Sequence, residues 1–265
     1  MWIKITEKAF YVLDDKGDVV KEFGPTMVLK SGELVFSGEA IAQQIRLFNI
    51  GNVVVDFDPA DTEPAGRAAP VPPKKEGVLQ GLKVFLDVGH GYHNGVGHDP
   101  GAKGNGLEEW NLNKMQAARI AETLRARGAE VSIGLYSDPG GPRLKLGQKG
   151  ARAAGHQIFV SLHHNAFNGE AQGHEVLVHT NAANEDESLA KAINARLDEK
   201  LSIANRGVKR QGLGVLSGVP PSVNAACLTE TCFIDGPGSI SMLSGLGADA
   251  IAQGIADYAL SAKLV

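Results

Sequence analysis

Residues 84–101 read VFLDVGHGYHNGVGHDPG: an apolar run, then three histidines within nine positions among five glycines. With Lys83 ahead of it, the run KVFLDV has the length and composition of a short buried strand. His90 stands where that strand runs out, between Gly89 and Gly91. Spacing within the stretch does not say whether His90, His93 or His98 holds a metal. The rest of the chain bears on it.

Downstream of this stretch, helices and strands alternate. Residues 109–127 place Ala117, Ile120, Ala121 and Leu124 on one helical face, with Gly128 as a stop. AEVSIGL, QIFVSL, EVLVH and CLTETCFI read as strands. ESLAKAINARLDEKL puts Leu189, Ile193, Leu197 and Leu201 at helical spacing, and residues 247–262 predict a closing helix with Ile251, Ile255 and Tyr258 inward. This order implies an α/β unit with a mixed, largely parallel sheet flanked by helices. In such sheets chemistry gathers at the carboxyl ends of the strands. That rule singles out His90 after VFLDV and His163 after IFVSL, since two imidazoles at neighbouring strand ends can share one cation.

Upstream, composition changes at PADTEPAGRAAPVPPKKEG, residues 59–77, which holds five prolines and no large apolar residue beyond Val71. We read residues 59–80 as a semi-rigid, Pro-rich linker. Residues 1–58 then form a small non-catalytic α+β module, and residues 81–265 the catalytic domain. In the module, FYVLD and VVKEF flank DDKG as one hairpin, and MVLK and ELVF flank SG as another. Ser37 caps a helix through AIAQQIRLF, and NVVVDF is a last strand.

Bulk properties exclude several classes. The net charge of −4 shows no excess of Lys and Arg, against a nucleic-acid partner. No apolar stretch approaches the ~18–20 residues of a membrane helix, so no membrane insertion is expected. Glu7, Asp14 and Asp15 interrupt the start where a signal peptide needs a continuous apolar segment. Synthesis in the cytoplasm without a leader is the expectation. The two cysteines, Cys227 and Cys232, lie on one expected strand, roughly 16 Å apart at ~3.3 Å per residue. They cannot bridge, and they are too few for a thiolate zinc cage.

A third ligand should come from the start of the first helix, where GNGLEEWNLN supplies Glu108 and Glu109. Acids there also complement the helix dipole, so the pattern alone does not choose between them. Glu230 is the odd residue of an otherwise apolar or small strand. A carboxylate there costs several kcal/mol unless it is compensated. No base lies in its own segment, which makes a catalytic carboxylate beside a cation the better reading than a structural ion pair. Glu175, in GHEVLVHT, is a weaker rival.

Six segments then fall in a familiar order: DVGHG with DPGA, GNGLEEWNLN, SLHHNA, GHEV, RGVK ahead of a Val-Leu strand, and TETCFI. From residue 82 to about 262 the chain resembles the zinc-dependent N-acetylmuramoyl-L-alanine amidases, the peptidoglycan amidases of autolysins, division amidases and phage endolysins. The resemblance implies one zinc ion held by His90, Glu109 and His163, with Glu230 as the catalytic carboxylate. It also implies a six-stranded mixed sheet. Separately, Asp87 is read as the carboxylate partner of a ligand histidine. The expected reaction is hydrolysis of the amide between N-acetylmuramic acid and the L-alanine of the stem peptide. Peptidoglycan is therefore the expected partner.

Departures from the family pattern lie in the loop from His90 to Asp99, which is longer and carries His93 and His98. Tyr92 stands at a position where glycine is common, and His164 replaces a small residue. These bear on groove shape rather than on the ligand set. Two imidazoles and a carboxylate leave a coordination position open, the catalytic arrangement for zinc. A metallocarboxypeptidase would need arginines gripping a free C-terminal carboxylate, and none can be assigned. A non-catalytic wall-binding protein would tolerate the loss of Glu230, yet all four residues are present. A structural zinc site would show four protein ligands. Only NAANED separates EVLVH from the next helix, too little for the zinc-covering insertion of some division amidases, so no activator protein is expected. The missing leader favours a phage or prophage lysin over a secreted autolysin.

Overall fold

The computed structural model describes residues 2–5, 10–13, 19–23 and 55–56, and residues 77–265 apart from 94–96 and 137–143. For the four N-terminal segments and for residues 92, 93 and 97 it describes the backbone alone. The chain divides into two compact units, Met1–Lys75 and Glu76–Val265.

In the first unit, β1 (Trp2–Ile5), β2 (Phe10–Leu13), β3 (Val19–Phe23) and β4 (Val55–Asp56) form one sheet in the order β3-β2-β1-β4. The hairpin around DDKG is present as β2 and β3, and β4 falls inside the expected last strand. Strand β1, pairing antiparallel to β2, was not anticipated. The second hairpin and the helix through AIAQQIRLF lie outside the described residues.

The second unit begins with β5 (Lys83–Val88), then β6 (Gly91–His93), β7 (Gly97–Asp99), β8 (Lys103–Gly104) and β9 (Leu107–Glu108). Helix α1 (Glu109–Ala126), β10 (Glu130–Gly134), α2 (Leu146–Ala151), β11 (Ile158–Asn165) and β12 (His174–His179) follow. The chain closes with α3 (Asn184–Lys200), β13 (Asn205–Gln211), α4 (Gly214–Ser217), β14 (Ala225–Phe233) and α5 (Ile240–Ser261). Six strands make the main sheet in the order β10-β5-β11-β14-β12-β13. Every neighbouring pair is parallel except β14 with β12.

Alternation along the central strands feeds two cores. Val84, Leu86, Val88, Ile158, Val160 and Leu162 face α1, α3 and α5, while Phe85, Phe159, Leu177 and Leu228 meet Val215 and Leu216 of α4. Burial on both faces is why these strands read as near-continuous apolar runs. Helix α5 starts seven residues before its expected onset: Ile240, Leu243 and Ser244 extend its buried face past two glycines. A Cβ on Gly254 of this helix would lie 2.5 Å from the Ile193 Cα, so glycine is what lets α5 lie against α3.

Further boundaries differ from expectation. The linker does not run to residue 80: Leu79 is fully buried and its N–H donates to the Arg127 carbonyl at 3.0 Å, so the compact unit starts at Glu76. RGVK is itself part of edge strand β13, which its polar composition hid. Val215 and Leu216 lie in α4, not in a strand, and their side chains cap the smaller core.

Candidate active site

The carboxyl ends of β5, β11 and β14 meet the N-terminus of α1. His90 leaves β5 in the left-handed backbone region, with φ of 68°. That is uncommon for a residue bearing a Cβ. Beside it, a Cβ on Gly89 would lie 2.4 Å from His163 Cε1, and one on Gly101 would lie 2.6 Å from Glu109 Oε2. Only glycine at these two positions lets the rings and the carboxylate close on each other.

Glu109 is the first residue of α1 and is buried. Its Oε2 lies 2.9 Å from His90 Nε2, and its Oε1 lies 2.9 Å from His163 Nδ1. The three donor atoms of His90, Glu109 and His163 all lie within 4.8 Å of one another. The same carboxylate accepts the backbone N–H of Ala102 at 2.9 Å and of His164 at 3.1 Å. Burial pushes the Glu109 carboxyl up, but the hydrogen bonds and charges of His163 and His90 prevail and hold it well below the usual carboxylate range. For His90, burial pulls the ring down, and Glu109 with Asp99 outweigh it and leave it raised.

Glu108 turns away from this cluster, to Lys103 at 2.9 Å and Asn111 at 3.3 Å. His90 Nδ1 lies 2.8 Å from Asp99 Oδ2, whose other oxygen accepts the Gly101 N–H. A carboxylate behind the ring fixes its tautomer and leaves Nε2 for the site. Asp87, expected in that role, does something else. It accepts the hydroxyls of Tyr136 and Ser161, both at 2.6 Å, on the face of β5 that carries Phe85 and the smaller core. Sequence reading missed Asp99 although it begins the quoted DPGA. It also gave no role to Lys149, a buried cation whose Nζ donates to the His90 carbonyl at 2.7 Å.

Strand β11 runs through His163 to Asn165 rather than ending before it. Its pleat sends His163 toward Glu109 and His164 into the core, where Nδ1 lies 2.7 Å from Asn113 Oδ1. Burial lowers the pKa of His164 to about 4, so this ring is neutral at ordinary pH. His98 packs edge-on against Trp110, centroids 5.1 Å apart, and is outside the donor cluster. The side chain of His93 lies outside the described residues.

In register, Glu230 stands beside His163 on the parallel neighbour and opposite Glu175 on the antiparallel one. Its Oε2 is enclosed and has no hydrogen-bond partner among the described residues. Burial, then the charges of Glu109 and Glu175, push its carboxyl well above the ordinary value. Glu175 is buried too, but Arg206 Nε donates to it at 2.8 Å and Lys209 Nζ also donates to it, and these cations hold its carboxyl down against the effect of burial.

Two imidazoles and a carboxylate are a donor set that suits zinc, and an enclosed, undonated carboxylate oxygen beside them is what a cation would compensate. The residues fit a metal site. A family model described as N-acetylmuramoyl-L-alanine amidase matches residues 84–259, which contain all four of these side chains. The chain belongs to that amidase family. Among relatives of this amidase, the Bacillus subtilis protein YqiI is 31% identical over 189 residues, covering 68% of this chain and 86% of that one. The N-acetylmuramoyl-L-alanine amidase LytC of the same organism is 34% identical over 188 residues, covering 68% of this chain but 35% of its own length. Among solved structures, amidase AmiC2 of Nostoc punctiforme superposes with a TM-score of 0.58 at 26% identity, covering 68% of this chain and 97% of that one. The six-stranded sheet and its flanking helices are thus those of the amidases, and the amidase is an enzyme of peptidoglycan breakdown.

Proposed function

We propose that the chain cleaves the amide between N-acetylmuramic acid and L-alanine with His90, Glu109 and His163 holding one zinc ion and Glu230 carrying the proton. The observation that supports this most is Glu230 itself: an enclosed carboxylate, in register with a clustered histidine, whose Oε2 meets no donor among the described residues. When bound, zinc supplies the positive charge that polarises a carbonyl and makes water a nucleophile near neutral pH. With that charge nearby, Glu230 gives up its proton more readily and can accept one from the attacking water. It then delivers it to the departing alanine nitrogen, a role typically contributing ~10²–10⁴-fold. Asp99 and the Lys149 contact hold the His90 ring and backbone in place, while the hydrogen bonds of both histidines to Glu109 would give way to the ion.

The link between β12 and α3 spans only residues 180–183, too short to carry a covering helix, and the enzyme works on bare peptidoglycan without an activator. Bulk lysis of walls, as by an autolysin or endolysin, follows from that cleavage. The N-terminal unit serves wall recognition, and a fragment from Glu76 keeps its zinc and its chemistry while losing wall affinity.

Purified peptidoglycan digested with the enzyme should release new N-terminal alanine and free muramic acid lactyl carboxyls, with about one zinc per chain. Release of a C-terminal amino acid instead would indicate a carboxypeptidase. Lytic activity that survives exhaustive chelation would defeat the metal assignment.

A further inference from the structure

Next to Glu175 lies a cavity of about 420 Å³ lined by Asn165, Phe167, Glu170, Arg206 and Phe233 among others. None of the four site residues lines it, and the connection to them runs along the strands. Asn165 follows His163 by two positions on β11 and its amide donates to Glu175 Oε1 at 3.3 Å, while Glu175 faces Glu230 across the ladder. We propose that this cavity is the subsite for a carboxylate of the stem peptide, and that Arg206 reads it. The proposal rests on the amidase reading given above.

Arg206 is braced on two sides. Its Nε donates to Glu175 at 2.8 Å, and its guanidinium lies over the Phe233 ring, 5.0 Å from the centroid. Its two terminal nitrogens make no hydrogen bond among the described residues, and the residue lines the cavity. A planar cation already held flat loses little freedom on binding and presents the fork that matches a carboxylate. Glu175 does not cancel it. One carboxylate is shared by Arg206 and Lys209, which leaves the trio with a net positive charge. Glu170 at the rim is exposed, where water screens it.

The chemistry of the substrate says which half enters. On the glycan side the only carboxyl of muramic acid, that of the lactyl group, is consumed in the scissile amide, so the sugar offers hydroxyl and acetamide groups and no charge. Every carboxylate lies on the peptide. The first one beyond alanine is the α-carboxylate of a D-isoglutamyl residue, which becomes a neutral carboxamide when that residue is isoglutamine. Arg206 accordingly makes the enzyme sensitive to that amidation, and exposed Phe167 walls the same cavity.

The test pairs two substrates with three enzymes. Zinc-loaded full-length chain, Arg206→Gln and Arg206→Lys are assayed on N-acetylmuramoyl-L-alanyl-D-isoglutamate and on the isoglutamine analogue, with zinc content checked in each. The unaltered chain should favour the carboxylate by about tenfold in kcat/KM, chiefly through KM, the scale of one charge-assisted hydrogen bond in a half-open site. Arg206→Gln should bring that preference to within about twofold, and Arg206→Lys should restore part of it. If Arg206 merely supports Glu175, Arg206→Gln lowers both substrates equally and leaves the preference intact, which overturns the proposal, as does an unaltered chain that treats both alike. Should neither substrate be cleaved, the amidase reading fails by itself. Calorimetry with L-alanyl-D-isoglutamate and L-alanyl-D-isoglutamine then decides the subsite: tighter binding of the first, lost in Arg206→Gln, sustains it, and equal binding refutes it.

Discussion

Glu175 and Glu230 face each other on neighbouring strands, and they differ in nearly everything but residue type. Glu175 has two cations on it and is held ionised. Glu230 has an enclosed oxygen with no donor among the described residues and is pushed toward its neutral form. The difference comes from the edge of the sheet. Arg206 and Lys209 sit on β13, which pairs with β12 but not with β14, so their reach ends one strand short of Glu230. A carboxylate one strand further in is left for a different cation. The ladder thus places a structural ion pair and a candidate proton carrier side by side with no change of residue.

The pair can be broken from either side. Glu230→Gln keeps shape and hydrogen-bonding capacity but cannot take up a proton, and turnover should fall at least ~10²-fold with zinc content unchanged. Glu109→Gln should fall as far, but by losing the metal, because it removes the one carboxylate that both histidines contact. Measuring zinc and hydrolysis together separates the two. Near wild-type turnover in Glu230→Gln would pass the proton role to Glu175.

Glu175→Gln should act on stability instead. Arg206 and Lys209 are both partly exposed and can turn to water, so the loss should be about 1–2 kcal/mol in denaturant unfolding, with zinc retained. A ≥10²-fold loss of turnover there would erase the contrast.

A proton-linked effect sharpens the comparison on the next strand, where His163 faces the cluster and His164 the core. With its folded pKa near 4 and an ordinary value of 6.5, His164 binds a proton in the unfolded chain before it does in the folded one. Stability from this ring is therefore complete above pH 6.5 and declines as pH falls toward 4, by a few kcal/mol at most. In chelated protein, His164→Asn should flatten that part of the pH–stability curve. An unchanged slope would place the acid sensitivity elsewhere. The smallest effect belongs to Glu108→Gln, whose surface pair with Lys103 should contribute within about 0.5 kcal/mol and leave zinc and turnover alone.

Much of this was readable in the chain because burial leaves a local imprint. Central strands are apolar throughout, and an acid within one, such as Glu230, stands out against that background. His90 and His163 were found by their place at strand ends, which alternation of elements exposes. What escaped depends on partners distant in sequence. Strand β13 is polar because it is an edge, and nothing in NRGVKRQ says it pairs with β12. The charge state of Glu175 depends on residues 31 and 34 positions away. Asp99 was visible as a motif member, but its bond to His90 needs the β6–β7 hairpin to fold back. Leu79 looked like linker since one buried leucine beside a proline-rich run carries no periodicity.

Cys227 and Cys232 share β14 with Glu230, both buried and both free. Burial pushes their thiols up, Cys232 to about 12, so neither exists as thiolate in ordinary media. No other sulfhydryl is present in the chain. The covalent structure is therefore the same in reducing and oxidising surroundings, and a sulfhydryl dye can couple only while the central strand is out of the sheet. Its rate of uptake is a built-in clock for the opening of the strand that carries the proton-transfer residue.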